Sequence, residues 1–103
     1  MTARWLRLRE VCAQLHVDDE LLQVVRREGL VVIKDSSEAE PVISPDDAER
    51  LRLIAVLMRE LDVNLAGVEV ILHMHEDLCS MQKQFGTILR SLVDELRQRV
   101  GGA

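Results

Sequence analysis

The chain is 103 residues long and 48% hydrophobic, yet Trp5 and Phe85 are its only Trp, Phe or Tyr residues, and 18 acidic against 13 basic side chains give a net charge of −5 at pH 7. That length supports one domain burying roughly 65% of the surface its unfolded form exposes, and a core restricted to Leu, Val, Ile and Met favours helices. The charge opposes a nucleic-acid partner unless the bases are strongly segregated, no apolar stretch approaches the roughly 20 residues that span a bilayer, and two cysteines in helical apolar patterns, Cys12 and Cys79, without an apolar leader point to a reducing cytoplasm.

Leu8, Val11, Cys12 and Leu15 recur at helical spacing, so a first helix is expected over about 8–15 with these residues on its inner face. Arg4, Arg7 and Arg9 cluster around its start. In "HVDDELLQVV", residues 16–25, Val17 begins a break and Asp18 is placed to cap a second helix over about 19–28, because its carboxylate can accept from the unpaired N–H groups of the first turn. Leu21, Leu22 and Val25 form the buried stripe of that helix, Arg26 and Arg27 complement the dipole at its end, and Gly29 terminates it with a left-handed residue.

The runs "LVVIK" (30–34) and "PVIS" (41–44), joined by the polar "DSSEAE", predict a small two-stranded wing. Ser44, Pro45, Asp46 and Asp47 then make a helix start, with Ser as cap, Pro in the first helical position and carboxylates in the first turn. Leu51, Ile54, Ala55, Leu57, Met58 and Leu61 supply the core side of this third helix, which is expected to end near Leu61.

After "DVNLAG", Asn64 is the expected cap of a fourth helix reaching about Arg99. Some 35 residues make a rod of roughly 50 Å, longer than a compact domain with a radius of gyration of ~13 Å can cover. Ile71, Leu78, Phe85 and Leu92 recur every seven residues, with Met74, Met81 and Ile88 three further on; beyond Leu92 the stripe shifts to Leu96 and Val100, since Glu95 takes the expected place. Ile71, Met74, Leu78, Met81, Phe85, Ile88 and Leu92 are therefore the expected interface of a homodimer of paired long helices; the alternative is a chain that folds back at Gly86 into an intramolecular hairpin. The expected organisation is a winged helix-turn-helix-like unit over 1–62 and a dimerisation helix over 63–100, mainly α and one structural domain overall, closing on the short tail Gly101-Gly102-Ala103.

Chemistry-bearing groups do not converge. His75 and Cys79 stand at i, i+4 with His73 nearby, a spacing that can share a metal on one helix face, but two ligands do not close a site and none is assigned. The carboxylates follow helix starts, Gly29, Gly67 and Gly86 are isolated rather than part of a phosphate loop, and no catalytic residue or cofactor is expected. A binding module rather than an enzyme is what this pattern describes.

"REVCAQLHVDDELLQVVRREGLVV" followed by "SPDDAERLRLIAVLMRELDVNLAGVEVILHMHEDL" resembles the MerR-like proteins from about Leu8 to Phe85, and within them the CbpM-type chaperone modulators more than the transcription factors. "NLAGVEVIL" is also similar to the heat-shock repressors of the MerR class. DNA-binding members carry Thr-Leu-Arg and an aromatic pair in the second helix, an Arg-rich wing, and Tyr or Arg-Tyr before the third helix. Here the corresponding stretches are "DDELLQVVRREGL" with no aromatic, a wing "KDSSEAE" that sets Lys34 against Asp35, Glu38 and Glu40, and "PVISPDD" with neither Arg nor Tyr. Lost phosphate contacts and added carboxylates both weaken a salt-dependent attraction to DNA.

The resemblance to CbpM-type proteins implies a protein that binds the J-domain of a DnaJ/CbpA-like co-chaperone, masks the basic surface used on Hsp70 and so inhibits the co-chaperone. Within that frame the expected partner-binding residues are Asp18, Asp19, Glu20 and Gln23, joined by Asp35, Glu38 and Glu40 of the wing, with Glu69, His73, Glu76 and Asp77 as a second polar rim. The rival expectation is a MerR-family DNA-binding regulator using Arg4, Arg7, Arg26 and Arg27 on phosphates, and a third is a metal sensor built on His75 and Cys79.

Overall fold

The computed structural model describes residues 4–101, so residues 1–3 of the expected first unit and 102–103 of the expected tail lie outside the described residues. The elements, in chain order, are β1 (Leu6–Arg7), α1 (Leu8–Leu15), α2 (Asp19–Arg27), β2 (Ile33–Ser36), β3 (Ala39–Ile43), α3 (Pro45–Ala55) and α4 (Leu65–Gly101), with a π-helical turn, Val56–Glu60, prolonging α3. This is the mainly helical, winged helix-turn-helix architecture expected from the sequence, with one strand added.

Local chemistry sets most helix ends. The Asp18 carboxylate accepts from the Leu21 N–H at 2.9 Å to start α2, Ser44 Oγ accepts from the Asp47 N–H at 3.1 Å with Pro45 following it, and Asn64 Oδ1 accepts from the Gly67 N–H at 2.8 Å. At the end of α2, Gly29 has φ +68° while its N–H donates to the Arg26 carbonyl and that of Leu30 to the Val25 carbonyl, the paired bonds that satisfy a helix's last acceptors. The end of α1 is built the same way on a residue with a Cβ. His16 takes φ 57°, its N–H donates to Ala13 O and the Val17 N–H to Cys12 O.

The wing departs from expectation in register and extent. Pairing on β2 begins at Ile33 rather than Leu30, with Ile33 opposite Ile43, Lys34 opposite Val42 and Ser36 opposite Ala39, and an irregularity between Lys34 and Ser36. Most of the polar "DSSEAE" is thus strand, turning at Ser37–Glu38, while Leu30 and Val31 are buried ahead of it. The strand not foreseen is β1, which adds to the other edge of β3 (Leu6 opposite Ile43, Arg7 opposite Val42) to give the order β1-β3-β2. Lys34 lies 5.0 Å over the Trp5 ring just before β1.

The chain divides into two compact units between Glu69 and Val70, inside α4, where the sequence reading divides it at the junction before that helix. In the first unit α1 packs on β3 and α3, and Val25, Ile43, Leu51, Ile54 and Val68 are fully buried among an otherwise aliphatic core. In the second, α4 runs through Gly86 without a break to Gly101, so the hairpin alternative is not the structure: a single glycine weakens a helix by about 1 kcal/mol but does not end it. No helix among the described residues is long and apolar enough to cross a membrane.

Candidate functional site

The loop between α1 and α2 ends on Asp18, the first of the carboxylates singled out in the sequence, and it is held from a distance. After α3 the helix widens: the Leu61 N–H reaches back to the Val56 carbonyl, and Asp62 takes φ 58°. Inserting one residue rotates everything after it by about 100° around the axis. Arg59, within that turn, donates from Nη1 to the His16 carbonyl at 2.6 Å and from Nη2 to Asp18 Oδ2 at 2.6 Å. Asp18 therefore uses one oxygen as a cap and the other as an ion-pair acceptor. The Leu21 N–H first, and Arg59 with it, hold its carboxyl below the ordinary value of 3.8. Sequence reasoning found the cap because the acceptor is three residues from its donor; Arg59 carries no local signal, standing 43 residues from His16.

Beyond Asp18, the other α2 residues predicted for partner contact, Asp19, Glu20 and Gln23, are exposed on the outer side of the helix. The same side continues to Arg26 and Arg27, so it runs from acidic to basic along its length, complementing the helix dipole at both ends. Beside it, Leu8, Cys12, Ala13, Val17, Leu22 and Pro41 line an open groove between α1 and α2. Burial first, and the charge of Asp19 second, push the Cys12 thiol pKa up.

Four arginines of the first unit are matched by carboxylates of the same unit, while Arg4 is exposed and has no ion-pair partner among the described residues. Arg9 meets Glu40 at 3.4 Å, Arg26 meets Asp35 at 3.0 Å, Arg7 meets Glu10 at 3.6 Å and Arg27 meets Glu28 at 3.8 Å. Exposed pairs of this kind are worth only about 0–1 kcal/mol each to stability. Their consequence is electrostatic: two of the wing carboxylates, Asp35 and Glu40, sit against the bases that a DNA backbone would need.

On α4, Glu69, His73 and Glu76 recur at i, i+4, i+7 and share one helix face by spacing, while Asp77 borders a shallow groove made with Ile71, Met74, His75, Leu78 and Met81. Within the single chain Ile71 is half-buried, whereas Met74, Leu78, Met81, Phe85, Ile88 and Leu92 are each 51–64% exposed, and Leu96 and Val100 continue the stripe. Cys79 Sγ lies 3.9 Å from His75 Nε2, a weak side-chain contact. Among the described residues no group of three or more His, Cys, Asp or Glu is arranged to hold a metal.

Comparison with known proteins gives one family. Residues 6–90 match the model described as MerR HTH family regulatory protein. No curated protein and no solved structure matches the chain.

Proposed function

Because the chain belongs to the MerR helix-turn-helix family of regulatory proteins, we propose that it is a CbpM-type modulator that binds the J-domain of a DnaJ/CbpA-like co-chaperone and inhibits it by covering the basic surface used on Hsp70. The observation that carries this reading is the charge arrangement of the first unit: Arg7, Arg9, Arg26 and Arg27 are each spent on a carboxylate of the same unit, and the exposed side of α2 opens on Asp19 and Glu20. A surface of that kind steers a basic protein toward itself and repels a phosphate backbone. It catalyses nothing; competition for one surface is the mechanism.

Asp19, Glu20 and Gln23 are the proposed contacts on α2, with Asp18 holding the loop that presents them, and Glu69, His73, Glu76 and Asp77 form the second proposed rim on α4. The active species in this reading is a homodimer through the Ile71–Leu92 stripe, working in the cytoplasm.

Titration calorimetry of the full chain against an isolated J-domain at physiological salt tests the proposal. Binding is expected, and Asp19→Lys combined with Glu20→Lys is expected to slow association and flatten its salt dependence with the fold intact. No detectable heat at high micromolar J-domain, together with salt-sensitive retention of an inverted-repeat DNA duplex, would overturn it in favour of the DNA-binding regulator.

A further inference from the structure

The groove between α1 and α2 has a construction that the reading of acidic contacts does not use. Its floor is Leu8 and Val17, both buried; Cys12, Leu22 and Pro41 are half-buried walls, and Ala13 is an exposed lip. Asp18 and Asp19 stand on its rim, together with the exposed His16. Asp18 is engaged by Leu21 and Arg59, whereas among the described residues Asp19 has no ion-pair partner, and its carboxylate is near enough to Cys12 to act on the thiol. Arg9, on the opposite rim, is matched by Glu40. The groove thus combines an aliphatic trough with one uncompensated negative charge at its mouth.

An anion is excluded as occupant. At the start of α2, which would otherwise attract an anion, the Leu21 N–H is already taken by the Asp18 carboxylate, and the charges of Asp18, Asp19 and Glu20 repel one. A long cationic side chain fits both parts, because lysine and arginine lay an apolar stem along apolar surface while the head stays at the charged edge. Resting on the modulator reading above, we propose that this groove is the anchor point for one lysine or arginine of the partner's basic helix, its stem along Cys12, Ala13 and Leu22 and its head on the Asp19 carboxylate. The pocket contact supplies affinity there, while the surrounding acidic residues supply steering.

The test uses the full chain and an isolated J-domain of a DnaJ-like co-chaperone as probe. Ala13→Trp fills the trough from an exposed position, and it is expected to weaken binding by roughly tenfold or more, whereas Gln14→Trp, on another face of α1, leaves affinity unchanged. Asp19→Asn is expected to weaken binding by a few-fold. A bound J-domain is also expected to slow alkylation of Cys12, read by mass spectrometry on the unsubstituted chain, which keeps the groove testable should the tryptophan variant misfold. If the J-domain binds but Ala13→Trp binds equally well, or if both tryptophan variants lose binding alike, or if Cys12 alkylation is unprotected, the groove is not the anchor and the modulator reading stands. If the unsubstituted chain does not bind the J-domain at all, the reading itself fails and the occupant named here fails with it.

Discussion

At the scale of single residues, Asp18 shows how one side chain serves the fold and the candidate surface together. Its cap on α2 was legible from the run of Asp and Glu ahead of an apolar stripe, but its pairing with Arg59 was not, since that depends on the π-helical turn after α3 and on closure of the whole first unit. The two roles separate by substitution. Asparagine is as good a cap as aspartate, so Asp18→Asn keeps the bond to the Leu21 N–H and loses the charge opposite Arg59, whereas Asp18→Ala loses both. Thermal unfolding midpoints are expected in the order Asp, Asn, Ala, with the first highest. The carboxyl is held below its ordinary value of 3.8 in the folded chain, so its contribution is complete above that value and is lost as pH falls through the lower folded value. The advantage of the unsubstituted chain over Asp18→Asn is therefore expected to shrink on acidification through that window and to be constant from pH 5 to 7; a difference that grows on acidification would contradict the assignment.

At the scale of elements, the same substitution at two glycines is expected to act with opposite sign. Gly29 ends α2 at φ +68° with open space where a Cβ would stand, so Gly29→Ala meets no clash and its cost is backbone strain alone, about 1 kcal/mol of destabilisation. Gly86 lies inside α4, and a Cβ there would meet only Arg90 Nη2 at 3.8 Å, an ordinary contact; Gly86→Ala is expected to stabilise by about 1 kcal/mol. Denaturant midpoints with unchanged slopes check both. Helix boundaries were readable because caps and left-handed ends leave residue signatures, as Ser44, Asn64 and Gly29 do. His16 ends α1 in the same geometry without that signature, so the sequence shows only a break near Val17. The wing is less legible for a different reason: apolarity points to Leu30 and Val31 as strand, whereas pairing is set by the register of Ile33 against Ile43 and the turn at Ser37–Glu38, which draws Asp35 and Glu40 into strands despite their charge. The two residues of β1 carry no run long enough to register as a strand.

At the scale of the whole molecule, the second unit poses a solvation problem. Met74, Leu78, Met81, Phe85, Ile88 and Leu92 expose more than half of their surface in the single chain, and a contiguous apolar stripe of this kind is what a soluble monomer rarely leaves open. The heptad spacing was legible in the sequence, and the unbroken helix through Gly86 now removes the alternative in which the chain covers the stripe by turning back on itself. In the homodimer proposed above, a second copy of the chain would supply the matching surface, since knobs at seven-residue spacing seat in holes made by the same spacing. Sedimentation equilibrium is expected to give twice the 11.7 kDa chain mass. Leu78→Glu with Phe85→Glu puts two carboxylates one heptad apart at the middle of the stripe and is expected to yield a monomer. In that variant the first unit keeps its fold, because neither residue belongs to its core. Far-ultraviolet circular dichroism then separates lost association from lost folding: a helical monomer supports the stripe as the interface, and a variant that still sediments at twice the chain mass overturns it.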